Sequence, residues 1–280
     1  MQATDQSKEC AQREGITLVL GGSGHLGSDV VECLLRDGHR VRVLSRITGN
    51  DPRVEWAVGD MGTSAHLEEA FAGVRRVIHA ATNSPIARRG GPVLQDFFTS
   101  PKDVDIEGTR RALALGHRAG VEHFLFVSIV GLEDSKLPYS RVKLAGEDLV
   151  RSAPVSWSVV RATPFFYLVE RMLDRMHPWP LWALPASPFQ PVDTRDAADH
   201  IVDALFGAAR GMLPEIGGPE ITTYATMARA HLAARRMRKR VIEFRLCPRW
   251  ARQAGIVQSN GARGVRTWGA WLAEQTAEIV

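Results

Sequence analysis

Residues 16–35 read ITLVLGGSGHLGSDVVECLL. A short β-branched and aliphatic run enters a cluster of glycines, and an amphipathic helical pattern follows from about His25 to Asp37. Strand, glycine turn and helix in that order open a βαβ unit of the dinucleotide-binding kind. Two registers fit, Gly21-x-x-Gly24-x-x-Gly27 and Gly22-x-Gly24-x-x-Gly27. Either supplies a tight turn, bare backbone for a pyrophosphate, and close packing of helix on strand. The phosphates are expected at the helix N-terminus, where unpaired N–H groups and the helix dipole favour anions. Gly21, Ser23, Gly24, His25, Leu26 and Gly27 are therefore the candidate contacts. No Lys-Ser/Thr follows, so the loop is not an NTPase P-loop, and it lacks the last glycine of a nucleophile elbow.

Outward from the loop, short apolar runs alternate with helical patterns. HRVRVLS (39–45) and VEWAV (54–58) precede a helix expected near Ser64–Ala72, and RRVIHA (75–80) precedes one over roughly 102–119. HFLFVS (123–128) then leads into a helix opened by Pro138, and SWSVVRA (156–162) follows. Strands apolar on both faces, alternating with helices, predict an α/β fold of the Rossmann type, a doubly wound parallel sheet with right-handed crossovers. The expected division is a loose tail over 1–14 and a dinucleotide-binding domain over 15–162, to which 190–208 returns. A smaller, mostly helical lobe over 163–189 and 209–280 completes it. HPWPLWALPASPFQP (177–191) is too rich in proline for a long helix. TRDAADHIVDALFGAAR (194–210) is amphipathic, with Ile201, Val202 and Leu205 as core candidates. A helix near 223–236, a strand over 241–246 and a helix around 265–278 are expected after it.

The chain has 280 residues, 45% hydrophobic and 24% charged, with a net charge of +4. That is ordinary for a soluble globular protein, and the scattered positive charge demands no nucleic-acid partner. The run Arg235–Arg240 reads as a solvated helix end, since no aromatic residues interleave with it. Cys10, Cys33 and Cys247 share no metal or redox spacing, which suits a reducing compartment. The tail lacks an apolar signal core, and no apolar run approaches the ~20 residues of a membrane span. A cytoplasmic protein, monomer or homodimer, acting on a small molecule and not on a membrane, is expected.

The end of the second strand speaks to the choice of dinucleotide. NAD binders usually place an acid there to grip the ribose 2′-hydroxyl. Here it ends Leu44-Ser45-Arg46, and a guanidinium at that point would pair with a 2′-phosphate, with Ser45 assisting. NADP(H) is favoured over NAD(H).

In LPYSRVKLAGE (137–147), Tyr139 and Lys143 stand four residues apart, on one face of a helix. With Gly21-x-x-Gly24-x-x-Gly27 the chain carries Gly59-Asp60-Met61, Ala80-Ala81-Thr82 and Val127-Ser128-x-x-Gly131. Tyr139-x-x-x-Lys143 and Val192-Asp193-x-x-Asp196-Ala197-Ala198 follow. In that order, over residues 16 to about 205, these motifs resemble the short-chain dehydrogenase/reductase superfamily, in particular its atypical NmrA-like NAD(P)H-binding branch.

The resemblance implies a division of labour. Asp60 and Met61 would border the adenine, and Ala80, Ala81 and Thr82 would run beneath the adenosine and ribose. Ser128 would hydrogen-bond the substrate oxygen, and Tyr139 would be the general acid in reduction. Lys143 would bind the nicotinamide ribose and lower the pKa of the tyrosine. Asp105, in Asp105-Ile106-Glu107-Gly108-Thr109, stands where members with the full catalytic set often carry Asn.

Thr163, Pro164 and Phe165 follow the sixth strand, where the chain should pass the nicotinamide. Phe166, Tyr167, Trp179 and Trp182, with Leu184 and Phe189, are expected either to line an apolar pocket or to form the core of the lobe. A pocket so lined would take a bulky apolar ketone or alcohol. His79 is expected to be structural. The leading function is an NADP(H)-dependent oxidoreductase. A non-catalytic NADP(H)-binding sensor and a cofactor-retaining epimerase or isomerase are the alternatives.

Overall fold

The computed structural model describes residues 15–63, 66–84, 98–133, 135, 137–208, 210–246 and 255–277. The expected tail, Cys10, Cys247 and the start of the helix expected near Ser64 lie outside them.

Strand β1 (Ile16–Leu20) leads through the glycine loop into α1 (His25–Arg36), then β2 (Arg40–Ser45), β3 (Glu55–Val58), α2 (Leu67–Ala70) and β4 (Val74–His79). After a π-helical turn over Asp103–Gly108 come α3 (Thr109–Arg118), β5 (His123–Ile129), α4 (Pro138–Arg151) and β6 (Trp157–Ala162). Next are α5 (Phe166–Arg175), β7 (Leu181–Pro185), β8 (Pro188–Phe189) and α6 (Thr194–Phe206). Short strands β9 (Gly211–Met212), β10 (Glu215–Gly217) and β11 (Thr222–Thr223) precede α7 (Tyr224–Ala234). The described chain ends with β12 (Arg240–Phe244), β13 (Gly261–Arg263) and α8 (Trp268–Ala277).

The main sheet has nine strands in the order β13-β10-β6-β5-β4-β1-β2-β3, with β9 also paired to β6. Its pairings are parallel. The order reverses at β1, which lies between β2 and β4. In such sheets, ligands bind outside the carboxyl ends of the strands at that reversal.

Period-two alternation explains the two core layers. Val19, Val43, Ile78, Leu125 and Val160 face one side, where α1 and α6 cover them. Leu18, Leu20, Leu44, Val77 and Phe124 face the other, beneath α2, α3 and the end of α4. As expected of 190–208, α6 returns to the sheet, burying Ile201, Val202 and Leu205. Its N-cap is Asp193, whose carboxylate accepts the Arg195 N–H at 2.8 Å. Asp196 takes the N–H groups of Val265 and Arg266 at 2.8 and 2.9 Å. In the isolated chain these two acids are structural anchors.

A third core, in the lobe, joins α5, β7, α7 and α8 around Phe166, Leu173, Trp182, Met227, Trp268 and Trp271. Helix α5 was not foreseen, because the proline-rich stretch after it obscures the pattern. Residues 211–217 and 261–263, expected within the lobe, extend the main sheet instead through β9, β10 and β13. Such short strands carry too few residues to show a period. The basic run 235–240 is broken up: α7 ends at Ala234, Arg236 turns the chain with φ of 52°, and Arg240 opens β12. No helix among the described residues is long and apolar enough to cross a membrane.

Candidate active site

A cavity of about 920 Å³ opens over the carboxyl ends of β1, β2, β4 and β5, at the strand reversal. Its floor is the glycine loop. Gly21 adopts φ of +87°, and a Cβ there would stand 2.6 Å from the Ala81 amide nitrogen. Only glycine serves at a left-handed position so close to another backbone. A Cβ on Gly27 would run into the Gly21 carbonyl, so this glycine lets α1 begin against the loop. Gly24 is the N-cap of α1. The positive φ of Gly21 and its approach to backbone fit the register Gly21-x-x-Gly24-x-x-Gly27, although a Cβ on Gly22 would also stand 2.8 Å from the Val43 side chain. The loop is a cradle with bare N–H groups where an added side chain would intrude, which fits a pyrophosphate.

The remaining residues expected around a dinucleotide line the same cavity. Ser23, His25 and Leu26 do so from the loop, and Ser45 and Arg46 from the end of β2. Ser45 is buried and Arg46 exposed, and the Arg46 side chain makes no ion pair among the described residues. Asp60 and Met61 lie beyond β3, and the Asp60 carboxylate accepts the Gly62 N–H at 2.7 Å. Ala80, Ala81 and Thr82 pass over the end of β4. Thr163, Pro164 and Phe165 close the wall after β6.

Ser128, Tyr139 and Lys143 also meet on this cavity. Pro138 occupies the first turn of α4, where its missing N–H costs nothing, so Tyr139 sits one residue inside the helix. The Tyr139 hydroxyl lies 3.1 Å from Thr82 Oγ1. Thr82 donates its own proton to Asp105 Oδ1 at 2.8 Å, so Tyr139 must be the donor in that contact. Asp105 Oδ2 accepts the Asn83 N–H at 2.9 Å. Lys143 Nζ stands 3.4 Å from Asp105 Oδ1, donates to the Val127 carbonyl at 3.1 Å, and lies over the Phe126 ring.

The π-helical turn accounts for Asp105 reaching this point. A regular helix over 102–119 was expected, but its first six residues are wound wider. Thr109 Oγ1 donates to the Asp105 carbonyl at 2.9 Å, and the side chain is held by Thr82, Asn83 and Lys143. Such single wide turns often accompany functional sites. His79 braces it from behind. Because the Thr109 proton goes to Asp105, His79 Nε2 carries the hydrogen donated to Thr109 Oγ1 at 2.8 Å. Burial, with Lys143 nearby, pushes the His79 imidazole down to about 3, so it stays neutral. His79 is outside the cavity wall, and its Nδ1 is buried without a partner.

Electrostatics here differ from the expected simple lowering of the tyrosine by lysine. Burial raises the Tyr139 phenol above its usual range; Lys143 opposes this, Asp105 reinforces it, and the hydrogen bonds that Thr82 and Ser84 can donate to the phenolate act downward. The protein alone therefore holds Tyr139 as the neutral phenol. Two hydroxyls on the cavity wall, Ser128 Oγ and Thr163 Oγ1, are buried without hydrogen-bond partners among the described residues. Orphaned polar atoms of this kind are costly unless a ligand engages them.

Of the four aromatic residues expected at a substrate pocket, only Tyr167 lines the cavity, stacked at 4.0 Å on His25. Phe166 and Trp182 are buried in the lobe core and Trp179 is 66% exposed on its surface. Alternation along β7 turns Trp182 and Leu184 inward together. Phe189 does reach the cavity, where Tyr224 stacks on it at 4.0 Å. Leu168, Met172, Tyr224 and Ile256, which carry no motif, complete the far wall. The period of α5 would have pointed to Leu168 and Met172; nothing in the sequence marks Tyr224.

Known proteins bear on this geometry. A model of a family described as NAD(P)H-binding matches residues 21–166. A 3-beta-hydroxysteroid dehydrogenase of Mycolicibacterium neoaurum is 29% identical over 139 residues, 49% of this chain and 35% of that protein. A ceramide reductase of Caulobacter vibrioides is 32% identical over 152 residues, 52% of this chain and 45% of that protein. The chain thus spans less than half the length of either relative. The crystal structure of a short-chain dehydrogenase/reductase superfamily protein from Agrobacterium tumefaciens with bound NAD superposes with a TM-score of 0.73. It is 21% identical, covering 94% of this chain and 96% of that one.

Proposed function

The chain belongs to the NAD(P)H-binding family, and on that premise we propose that it is an NADP(H)-dependent reductase of the short-chain dehydrogenase/reductase type, acting on a bulky apolar carbonyl compound. The observation that carries this reading is the convergence of Tyr139, Ser128 and Lys143 on the cavity floored by the glycine loop.

The bound dinucleotide supplies hydride chemistry at its nicotinamide. The glycine loop and the α1 N-terminus would hold its pyrophosphate, and Ser45 with Arg46 would take the 2′-phosphate. Ser128 Oγ, which has no partner among the described residues, would donate to the substrate oxygen and fix its position. Tyr139 gives its proton to that oxygen. Burial and Asp105 keep the phenol protonated, which suits proton donation and hence reduction. Once Tyr139 is ionised, the Thr82 hydroxyl rotates from Asp105 to donate to the phenolate. Asp105 then retains Asn83 and Lys143. Tyr167, Met172, Phe189 and Tyr224 supply the apolar wall for the substrate body.

The test is NADPH consumption over a panel of bulky ketones by the native protein and Tyr139→Phe. The variant should bind NADPH normally and lose about 10²–10⁴ of the rate, the usual worth of a positioned acid. Equal rates in the two proteins would remove Tyr139 as the proton donor, and tight NADPH binding with no turnover of any ketone would favour the redox sensor.

A further inference from the structure

Outside the cavity lining, in the lobe, three potential ligand atoms converge. His177 Nε2 and His231 Nε2 are 3.3 Å apart, and Asp174 Oδ1 lies 3.4 Å from each. We propose that Asp174, His177 and His231 form a binding site for a divalent transition-metal ion of the Zn²⁺ class, with solvent as its fourth ligand.

The triangle has the size such an ion requires. Zn–N and Zn–O bonds of about 2.0–2.1 Å in tetrahedral array put neighbouring ligand atoms roughly 3.3–3.4 Å apart. Hydrogen bonding within the trio does not satisfy it equally well. Asp174 Oδ1 is buried and makes no hydrogen bond, despite two imidazole nitrogens at contact distance. His231 is fully buried, its Nδ1 has no partner among the described residues, and its Nε2 is the ring atom that faces the other two ligand atoms. Arg235 stands 4.0 Å from Asp174 Oδ1, but its guanidinium is also held by Glu170.

The surrounding fold holds the ligands in place. Asp174 lies in the last turn of α5, His177 follows three residues later, and His231 projects from the last turn of α7. The fully buried Trp182 packs beside both imidazoles, with ring centroids 6.0 and 6.3 Å away. Lys239 Nζ fixes the His177 carbonyl at 2.8 Å. Asp174 and His177 are partly exposed, which leaves the fourth position to water. Two imidazoles and one carboxylate suit Zn²⁺ rather than Mg²⁺, which prefers oxygen ligands. An ion here would tie α5 to α7, and α5 carries Tyr167, Leu168 and Met172 of the cavity wall.

The experiment uses the full-length protein, stripped by a chelator, desalted and titrated calorimetrically with Zn²⁺. One ion per chain should bind, Mg²⁺ should not displace it, and Zn²⁺ should raise the melting temperature. Asp174→Asn and His177→Gln, both at partly exposed positions, should each weaken Zn²⁺ binding by at least about tenfold while NADPH binding stays unchanged. No Zn²⁺ binding by the native protein, displacement by Mg²⁺, or native affinity in both variants would overturn the proposal. NADPH binding, read separately, keeps this outcome distinct from the fate of the reductase reading.

Discussion

The ammonium of Lys143 lies 3.4 Å from Asp105 Oδ1, with the two side chains 5% and 1% exposed. A lysine one turn from a tyrosine is expected to favour the phenolate, and here a buried carboxylate counters it. Asp105→Asn keeps the acceptor for Thr82 and removes the negative charge. Since Asp105 raises the Tyr139 pKa, the variant's phenol ionises at lower pH than the native one. In the reduction direction the alkaline limb of the kcat profile should therefore move to lower pH. An unmoved or upward-shifted limb would contradict the assignment of Tyr139 as the acid. The buried lysine also loses its partner, which should lower stability by up to about 3–5 kcal/mol, read as a drop in Tm.

Arg46 at the mouth of the cavity is the basis for preferring NADPH. A charge-assisted contact with a 2′-phosphate is worth about 1.5–3 kcal/mol. Arg46→Asp removes it and adds repulsion, so the ratio of kcat/KM for NADPH over NADH should fall by about 10–100-fold or more. A ratio unchanged within a factor of two would mean the 2′ position is read elsewhere or not at all.

The glycine loop offers a paired comparison. Gly21 and Gly38 have similar positive φ values, +87° and +82°, but only Gly21 has backbone within reach of an added Cβ. Gly38→Ala should cost about 1–2 kcal/mol of stability through the left-handed strain alone and leave NADPH affinity intact. Gly21→Ala adds a collision with Ala81 and should weaken NADPH binding at least about tenfold, measured by fluorescence titration. Equal effects of both substitutions on affinity would show that the loop does not cradle the phosphates.

Legibility in the sequence followed the strength of each local signal. Strands β1 and β5 are readable because they are buried along almost their whole length, which forces continuous apolar runs, while β2, β3 and β4 show through short β-branched runs despite exposed positions. The glycines of the loop are readable because backbone geometry restricts the residue type, and the spacing of Tyr139 and Lys143 after Ser128 points to the cavity wall they share. Asp105 could be noticed as a departure, yet its pairing with Lys143 depends on a π-helical turn that no periodicity announces. Trp179 and Trp182 illustrate the opposite failure. Aromatic residues are used by cores and pockets alike, and only the alternation of β7 decides which way each one faces. The trio of Asp174, His177 and His231 was illegible because its third member is 54 residues from the second.

Two buried histidines on neighbouring strands make the fold sensitive to acid. Burial depresses His79 to about 3 and His123 to about 4. His123 donates from Nδ1 to the Leu205 carbonyl at 2.8 Å and accepts from Ser158 at Nε2 at 2.9 Å, so it works as the neutral ring. The unfolded chain, titrating near pH ~6.5, binds protons that the folded one refuses. Stability is therefore complete above that value and declines as pH falls toward the folded pKa values. At pH 5 each histidine should have cost up to about 2 kcal/mol, from about 1.4 kcal/mol per pH unit. Urea midpoints at pH 7, 6 and 5 should fall steadily, and in His123→Gln, whose amide can serve the same two partners, the slope should lose about one proton. A midpoint flat from pH 7 to 5 would show that neither ring is held neutral by the fold.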